Sequence, residues 1–293
     1  QGAKIIKGDN IKAMEQAAKP ELMRKNLGLK MIRRANSIGH HYFIANLTSK
    51  DIASSVALAV NEKHGIWYNP MTGEYHEATI GDKGIQLNLK SGESRILITS
   101  NKPVNEWKLG PKVKVGGKEA VAAADSKTID LTENAWKLPF IEDAPKVDET
   151  FNLKGVKSWE GLSDKAKVMM GTGVYETTIK LSKDDAKKQW AIDLGDVRES
   201  ARVYINNKYV GCAWAVPYIL NCKDALNKGK NTLRIKGTNL PANRIAELDR
   251  QGVKWRKMKE INVVDINYKQ TTYENWTPVP SGLNSTEKLV EIK

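Results

Sequence analysis

Apolar and polar positions alternate along residues 200–211, SARVYINNKYVG. Ala201, Val203 and Ile205 fall on one side of an extended chain and Arg202 and Tyr204 on the other, before Asn206-Asn207 interrupts and a short run from Lys208 to Gly211 follows. A period of two marks a half-buried strand, and two asparagines tolerate the positive φ of a tight turn, so the stretch predicts a β-hairpin. The same period predicts strands in HYFIANLT (41–48), SSVALAV (54–60), GIQLNLK (84–90) and SRILITS (94–100). Further strands are predicted in TIDLTENAWKLPFIE, GVYETTIKL, QWAIDLG, NTLRIKGTN and INVVDINYKQ. Nearly every junction carries Gly, Asn, Asp or Pro, and YNPMTGEYHEA (68–78) reads as turn chemistry around Pro70 and Gly73.

Helical spacing is confined to the start and one inner stretch. Asp9 is an expected N-cap, after which Ile11, Met14 and Ala18 form one stripe. Pro20 opens a second short helix with Leu22, Met23 and Leu27 apolar and Gly28 placed to end it. LSDKAKVMM also has a helical look. The pattern predicts an all-β protein of two β-sandwiches, the second a jelly roll, because no crossover helices separate the strands as a parallel sheet requires. The expected division is a helical segment 1–28, a sandwich 29–105, a linker or extended loop 106–126 that is small-residue-rich and weakly patterned, and a jelly roll 127–293.

Composition narrows the chemistry. Eight Trp and nine Tyr against three Phe give most rings a polar handle, which suits either a sugar face or half-buried sheet packing. The net charge of +13 raises the question of an anionic partner. The lysines are scattered singly, and the densest stretch, KWRKMKE (254–260), has apolar residues between its bases and ends on an acid. That pattern reads as a solvated basic face and not as a nucleic-acid site, leaving a binder of polyanions as an alternative. Cys212 and Cys222 are too few for a disulfide framework or a thiolate zinc site. His40 and His41 point to opposite faces of one strand, so with His64 and His76 they make a poor metal set. No apolar run approaches a bilayer-spanning length, and the start, QGAKIIKGDN, has neither an initiator Met nor a signal peptide's apolar core and reads as processed or excised.

Motifs for nucleotide, dinucleotide, zinc-protease and serine-hydrolase chemistry are absent. Adjacent acids occur as Glu142-Asp143 and Asp184-Asp185, in the polar company of loops and helix caps. DINYKQTTYENWTPVPSGL (265–283) interleaves Tyr268, Tyr273 and Trp276 with hydroxyls and amides, a mixture that serves either sugar stacking or cross-strand packing.

Three ordered runs, GTGVYETTIKL (171–181), QWAIDLGDVRESARVYINNKYVGCAW (189–214) and LNKGKNTLRIKGTN (226–239), resemble the galactose-binding-like jelly roll of family 2 glycoside hydrolases. Asn207 stands where that family usually has Gly. NLPANRIAELDRQGVKW and SGLNS, with the upstream RRANSIGHHYFIANLTSKDI, YNPMTGEYHEA and LKSGESRILIT, resemble the C-terminal region of family 106, the α-L-rhamnosidase-like glycoside hydrolases common in gut Bacteroidetes. SGLNSTEKL departs from that family's S-G-L-x-G-P-V.

The resemblance implies an exported protein, periplasmic or at the cell surface, whose catalytic glutamates lie on a preceding (β/α)₈ barrel. No barrel fits in this chain, so no catalytic residue is carried over. The expected role is binding or positioning plant or host glycans, or buttressing a catalytic module or partner chain. Trp214, Tyr218, Arg244 and Trp276 are the expected carbohydrate contacts, with Arg244 alternatively anchoring its segment through Glu247 or Asp249. No cofactor is expected, and the jelly-roll resemblance leaves room for a structural Ca²⁺. The alternative enzyme is a hydrolase in its own right, with a carboxylate pair such as Glu160 and Asp196 assembled from loops of the two sandwiches.

Overall fold

The computed structural model describes residues 8, 10–107, 115–116, 126–257, 266–267, 269–285 and 287–292. The chain forms two compact units, Gln1–Ala120 and Val121–Lys293. Most of the expected linker, the expected cap Asp9, Tyr268 and most of the strand expected in INVVDINYKQ lie outside the described residues.

The first unit is a sandwich. A six-stranded sheet runs in the order Lys30–Ala35, Gly39–Ala45, Ser94–Ser100, His64–Asn69, Glu74–Ala78 and Val115–Gly116, and a three-stranded sheet in the order Ile52–Val56, Gly84–Leu89 and Ile80–Gly81. Tyr42, Ile44 and Leu97 from the first and Ile85, Leu87 and Leu89 from the second, all buried, pack into one core. The YNPMTGEYHEA stretch contributes more than a turn, because Trp67 pairs with His76 and Tyr68 with Tyr75 on either side of it. Helix α1 (Ile11–Ala17) is capped by Asn10, whose side chain accepts from Ala13 N, and buries none of its residues: Ile11 is 70% and Met14 56% exposed. Helix α2 (Leu22–Leu27) buries Met23 and ends on Gly28 at φ 68°. Glu21, just before it, accepts from Arg33 Nη1 at 2.5 Å and Ala59 N at 2.9 Å, which ties the helix to the first sheet and to the connection that follows Ile52–Val56.

The second unit is built on a long antiparallel sheet in the order Phe151–Lys154, Ala135–Leu138, Met170–Leu181, Gly229–Thr238, Ser200–Ile205 and Lys208–Ala213, with Phe140–Ala144 also pairing to Met170–Leu181. A four-stranded sheet, Thr128–Asp130, Lys288–Glu291, Trp190–Asp193 and Ile219–Asn221, faces it across the core. The hairpin forms as the alternation predicts: Ala201, Val203 and Ile205 are fully buried, and Asn206 and Asn207 take φ 51° and 64°. Asn206 also donates to Ala225 O and Asn231 Oδ1 and accepts from Thr232 N, so the turn is framework. Helix α3 (Asp164–Lys167), capped by Ser163, occupies only part of LSDKAKVMM, whose end starts a strand at Met170.

Helix α4 (Ala242–Arg250) is the element that strand periodicity alone did not reveal. Among the described residues no helix is long and apolar enough to cross a membrane.

Candidate functional site

Helix α4 follows the strand Gly229–Thr238 after a three-residue turn. Asn243, Ala246 and Arg250 lie at i, i+3 and i+7, one helical face, with Asn243 and Ala246 buried. That face grips the irregular segment 273–279 through its backbone. Asn243 donates from Nδ2 to Val279 O at 2.9 Å and accepts at Oδ1 from Val279 N at 2.8 Å. Arg250 donates to Glu274 O at 2.9 Å and Trp276 O at 3.0 Å, and pairs with Glu247 at 3.0 Å. Asp249 accepts from Tyr273 N at 2.7 Å and Trp255 Nε1 at 2.6 Å. Those two hydrogen bonds, with the Arg256 charge behind them, hold its carboxyl below the usual range, so it stays ionised.

This clasp sets three rings in a row. Trp255 and Tyr273 stand 6.5 Å apart and Tyr273 and Trp276 4.4 Å, while the Arg256 guanidinium lies 5.2 Å from the Trp255 ring and 5.1 Å from that of Tyr273. Arg256 also donates to Thr271 O. Trp276 remains 49% exposed, so the clasp fixes its backbone while a ring face stays in solvent. A flat, pre-oriented aromatic face can stack on the C–H side of a pyranose with little further loss of side-chain freedom.

Of the residues expected to touch carbohydrate, Trp276 belongs to this cluster. Arg244 lies on α4, half-buried, without the expected anchoring pair: Glu247 is taken by Arg250, and Asp249 by Trp255 and Tyr273. Trp214, 61% exposed, and Tyr218, packed on the core, sit in the separate connection between Lys208–Ala213 and Ile219–Asn221, where Tyr218 O accepts from Leu194 N at 2.9 Å. Burial raises the Tyr218 phenol, with Glu199 adding to it. The clasping residues Asn243, Asp249 and Arg250, and Trp255, were not among the expected contacts.

Glu160 and Asp196 both belong to the second unit, so they do not bridge two sandwiches. Each has a structural partner set. Glu160 accepts from Ser158 Oγ at 2.6 Å and Ser281 N at 3.2 Å, and Asp196 pairs with Arg198 at 2.8 Å. Asp185 pairs with Lys127 at 2.7 Å and Asp143 accepts from Val147 N at 2.6 Å, as loop acids do.

A different acid stands out. Glu287 is fully buried with both carboxyl oxygens unpartnered, its own backbone N–H lying near without hydrogen-bond geometry, and Asn284 Oδ1 is likewise unpartnered. Both line a pocket of ≈ 290 Å³ with Thr132, Glu133, Lys154 and Ser285. Burial, with Asp130 and Asp193 adding repulsion, pushes Glu287 up to about 8, so this carboxyl holds its proton at neutral pH.

Calcium takes six to eight oxygens, and among the described residues no group of three or more His, Cys, Asp or Glu is placed to hold a metal ion. His40 is engaged by Glu62 at 2.7 Å. Cys212 and Cys222 are free, and burial pushes Cys222 up to about 12.

Residues 163–283, which hold the long sheet's central strands, the hairpin, α4 and its clasped segment, match the family model of the glycosyl hydrolase 2 galactose-binding domain-like. This is a galactose-binding-like domain. Its four-stranded partner sheet takes the strands Thr128–Asp130 and Lys288–Glu291 from outside the matched residues, on either side of them. The whole chain shares its fold with part of a rhamnosidase from Novosphingobium sp. PP1Y, at TM-score 0.67 and 22% identity over 97% of this chain and 26% of that one. A candidate beta-glucuronidase from Formosa agariphila is 26% identical over 212 residues, which is 66% of this chain and 18% of that protein. The chain thus spans about a fifth to a quarter of the length of these relatives.

Proposed function

We propose that the chain is a non-catalytic, glycan-binding region of a glycoside hydrolase-related protein, and that the galactose-binding-like domain positions a saccharide on Trp276. The observation that carries this reading is the α4 clasp: three side chains of the helix are committed to the backbone of 273–279, and the outcome is a half-exposed ring packed at a 43° tilt against Tyr273. Trp214, 61% exposed, supplies a second stacking face on this reading, and Tyr218 and Arg244 supply further polar contacts to the sugar. The rhamnosidase and the candidate beta-glucuronidase are both named for glycan cleavage and are several times longer than this chain, consistent with chemistry carried elsewhere in such proteins.

Titration of the chain against a glycan panel tests the proposal. Binding is expected for the wild type, with a loss of about tenfold or more in Trp276→Ala, the scale of one lost stacking contact. A wild type that binds no saccharide would remove the binding role and leave only scaffolding.

A further inference from the structure

Both carboxyl oxygens of Glu287 and the amide oxygen of Asn284 are shut off from solvent and have no hydrogen-bond partner, in two residues that line one pocket. The donors around them are already used. Lys154 Nζ pairs with Glu133 at 2.5 Å, the Thr132 hydroxyl donates to Asp130, and Asn284 Nδ2 donates to Gly282 O at 3.2 Å. The charges that bear on Glu287 are those of Asp130 and Asp193, both of its own sign, and Lys288 is paired to Asp193 at 3.8 Å. Buried oxygens without donors are costly unless a hydrogen bond or a cation satisfies them. Oxygens closed to water are closed to a sugar hydroxyl too. Their enclosure instead suits a species smaller than water that carries positive charge, a desolvated metal ion.

The choice of ion follows from the oxygens. Calcium binds carboxylates, amide oxygens, backbone carbonyls and water in a flexible geometry, whereas magnesium demands an octahedron and gives up its waters reluctantly. One carboxylate and one amide oxygen, beside the oxygens of Thr132 and Ser285 in the same pocket, make a set poor in acids that calcium accepts and magnesium does not. We propose that the Glu287–Asn284 pocket binds a calcium ion. Bound there, the ion ties three places together: the turn after Thr128–Asp130, the end of the strand Phe151–Lys154, and residues 284–287, which follow the clasped segment. With so few charged ligands the affinity falls in the weak range, a Kd on the order of 10⁻⁴–10⁻³ M.

Thermal melting of the metal-stripped chain tests this without any saccharide, so its outcome is separate from that of the glycan-binding reading. The measurement is made above pH 8, where Glu287 gives up its proton, with CaCl₂, MgCl₂ or choline chloride at matched ionic strength. About 10 mM Ca²⁺ should raise the melting temperature of the wild type by at least about 3 °C over the same concentration of Mg²⁺. Glu287→Gln, which keeps the shape and removes the charge, should lose that difference. Asn284→Asp, which adds a carboxylate, should bind Ca²⁺ about tenfold tighter by calorimetry, and it reads the site even if Glu287→Gln fails to fold. No shift in the wild type, an equal shift with Mg²⁺, a shift retained in Glu287→Gln, or unchanged affinity in Asn284→Asp would each overturn the assignment.

Discussion

Glu287 binds a proton in the fold that the unfolded chain gives up. Its carboxyl is raised from 4.5 to about 8, so between those values the native state holds more protons than the unfolded one, and stability falls as pH rises through the window. The slope is about 1.4 kcal/mol per pH unit near its steepest. Charged groups around it are Asp130 and Asp193, with Lys288 paired to Asp193 and Lys154 to Glu133. The depressed carboxyls of Asp130, Asp185 and Asp249 act in the opposite sense, but their stabilisation is complete above the ordinary carboxylate range and leaves the window to Glu287. Urea midpoints between pH 5 and 8.5 should decline in the wild type and stay flatter in Glu287→Gln; parallel curves would contradict the raised carboxyl.

Tyr175 is another buried polar group with a definite task. Its hydroxyl oxygen accepts from Trp159 Nε1 at 2.6 Å and Leu283 N at 3.0 Å, all inside the core. A methyl group on Gly282, at φ 82°, would overlap both the Trp159 indole and that hydroxyl, which explains the glycine of SGLNS. Tyr175→Phe strips the acceptor from two buried donors and should cost about 2–4 kcal/mol in denaturant unfolding; a loss below about 1 kcal/mol would show that the donors find other partners.

At the scale of elements, what was legible depended on whether a segment buries a regular face. The hairpin at 200–213 was readable because its alternating positions are fully buried and its two asparagines match the turn. The strand Lys30–Ala35 was obscured by Arg33-Arg34, one of which is neutralised by Glu21, a partner twelve residues away. Helix α4 starts after Pro241 with no side-chain cap, and ANRIAELDR has few apolar residues to show a stripe. Conversely, α1 has the stripe but buries none of it. Trp276 was visible as an aromatic among hydroxyls, whereas its clasp was not, because a side chain bound to a backbone carbonyl leaves no letter at the accepting position. Arg250→Ala should therefore free 274–276, raising amide exchange across that segment and weakening glycan binding several-fold while the core strands stay protected. Unchanged exchange would mean that Arg250 does not organise the site.

At the scale of the molecule, the second unit has a large core with Trp136, Trp159 and Trp190 each at most 1% exposed, and its connections carry the exposed Trp214 and Trp276. Rings inside build the sandwich and rings outside are free to bind, a distinction that counting eight tryptophans does not make. The carboxylates that sequence offered as a catalytic pair are committed to serine, backbone and arginine partners within that unit. The decisive measurement is glycan titration of the wild type and Trp276→Ala side by side, following tryptophan emission and heat release, with melting temperatures recorded for both. The expected result is saccharide binding by the wild type that falls about tenfold or more in a variant that melts at the same temperature. Equal affinity in the two proteins would contradict the placement of the saccharide on the α4-clasped ring.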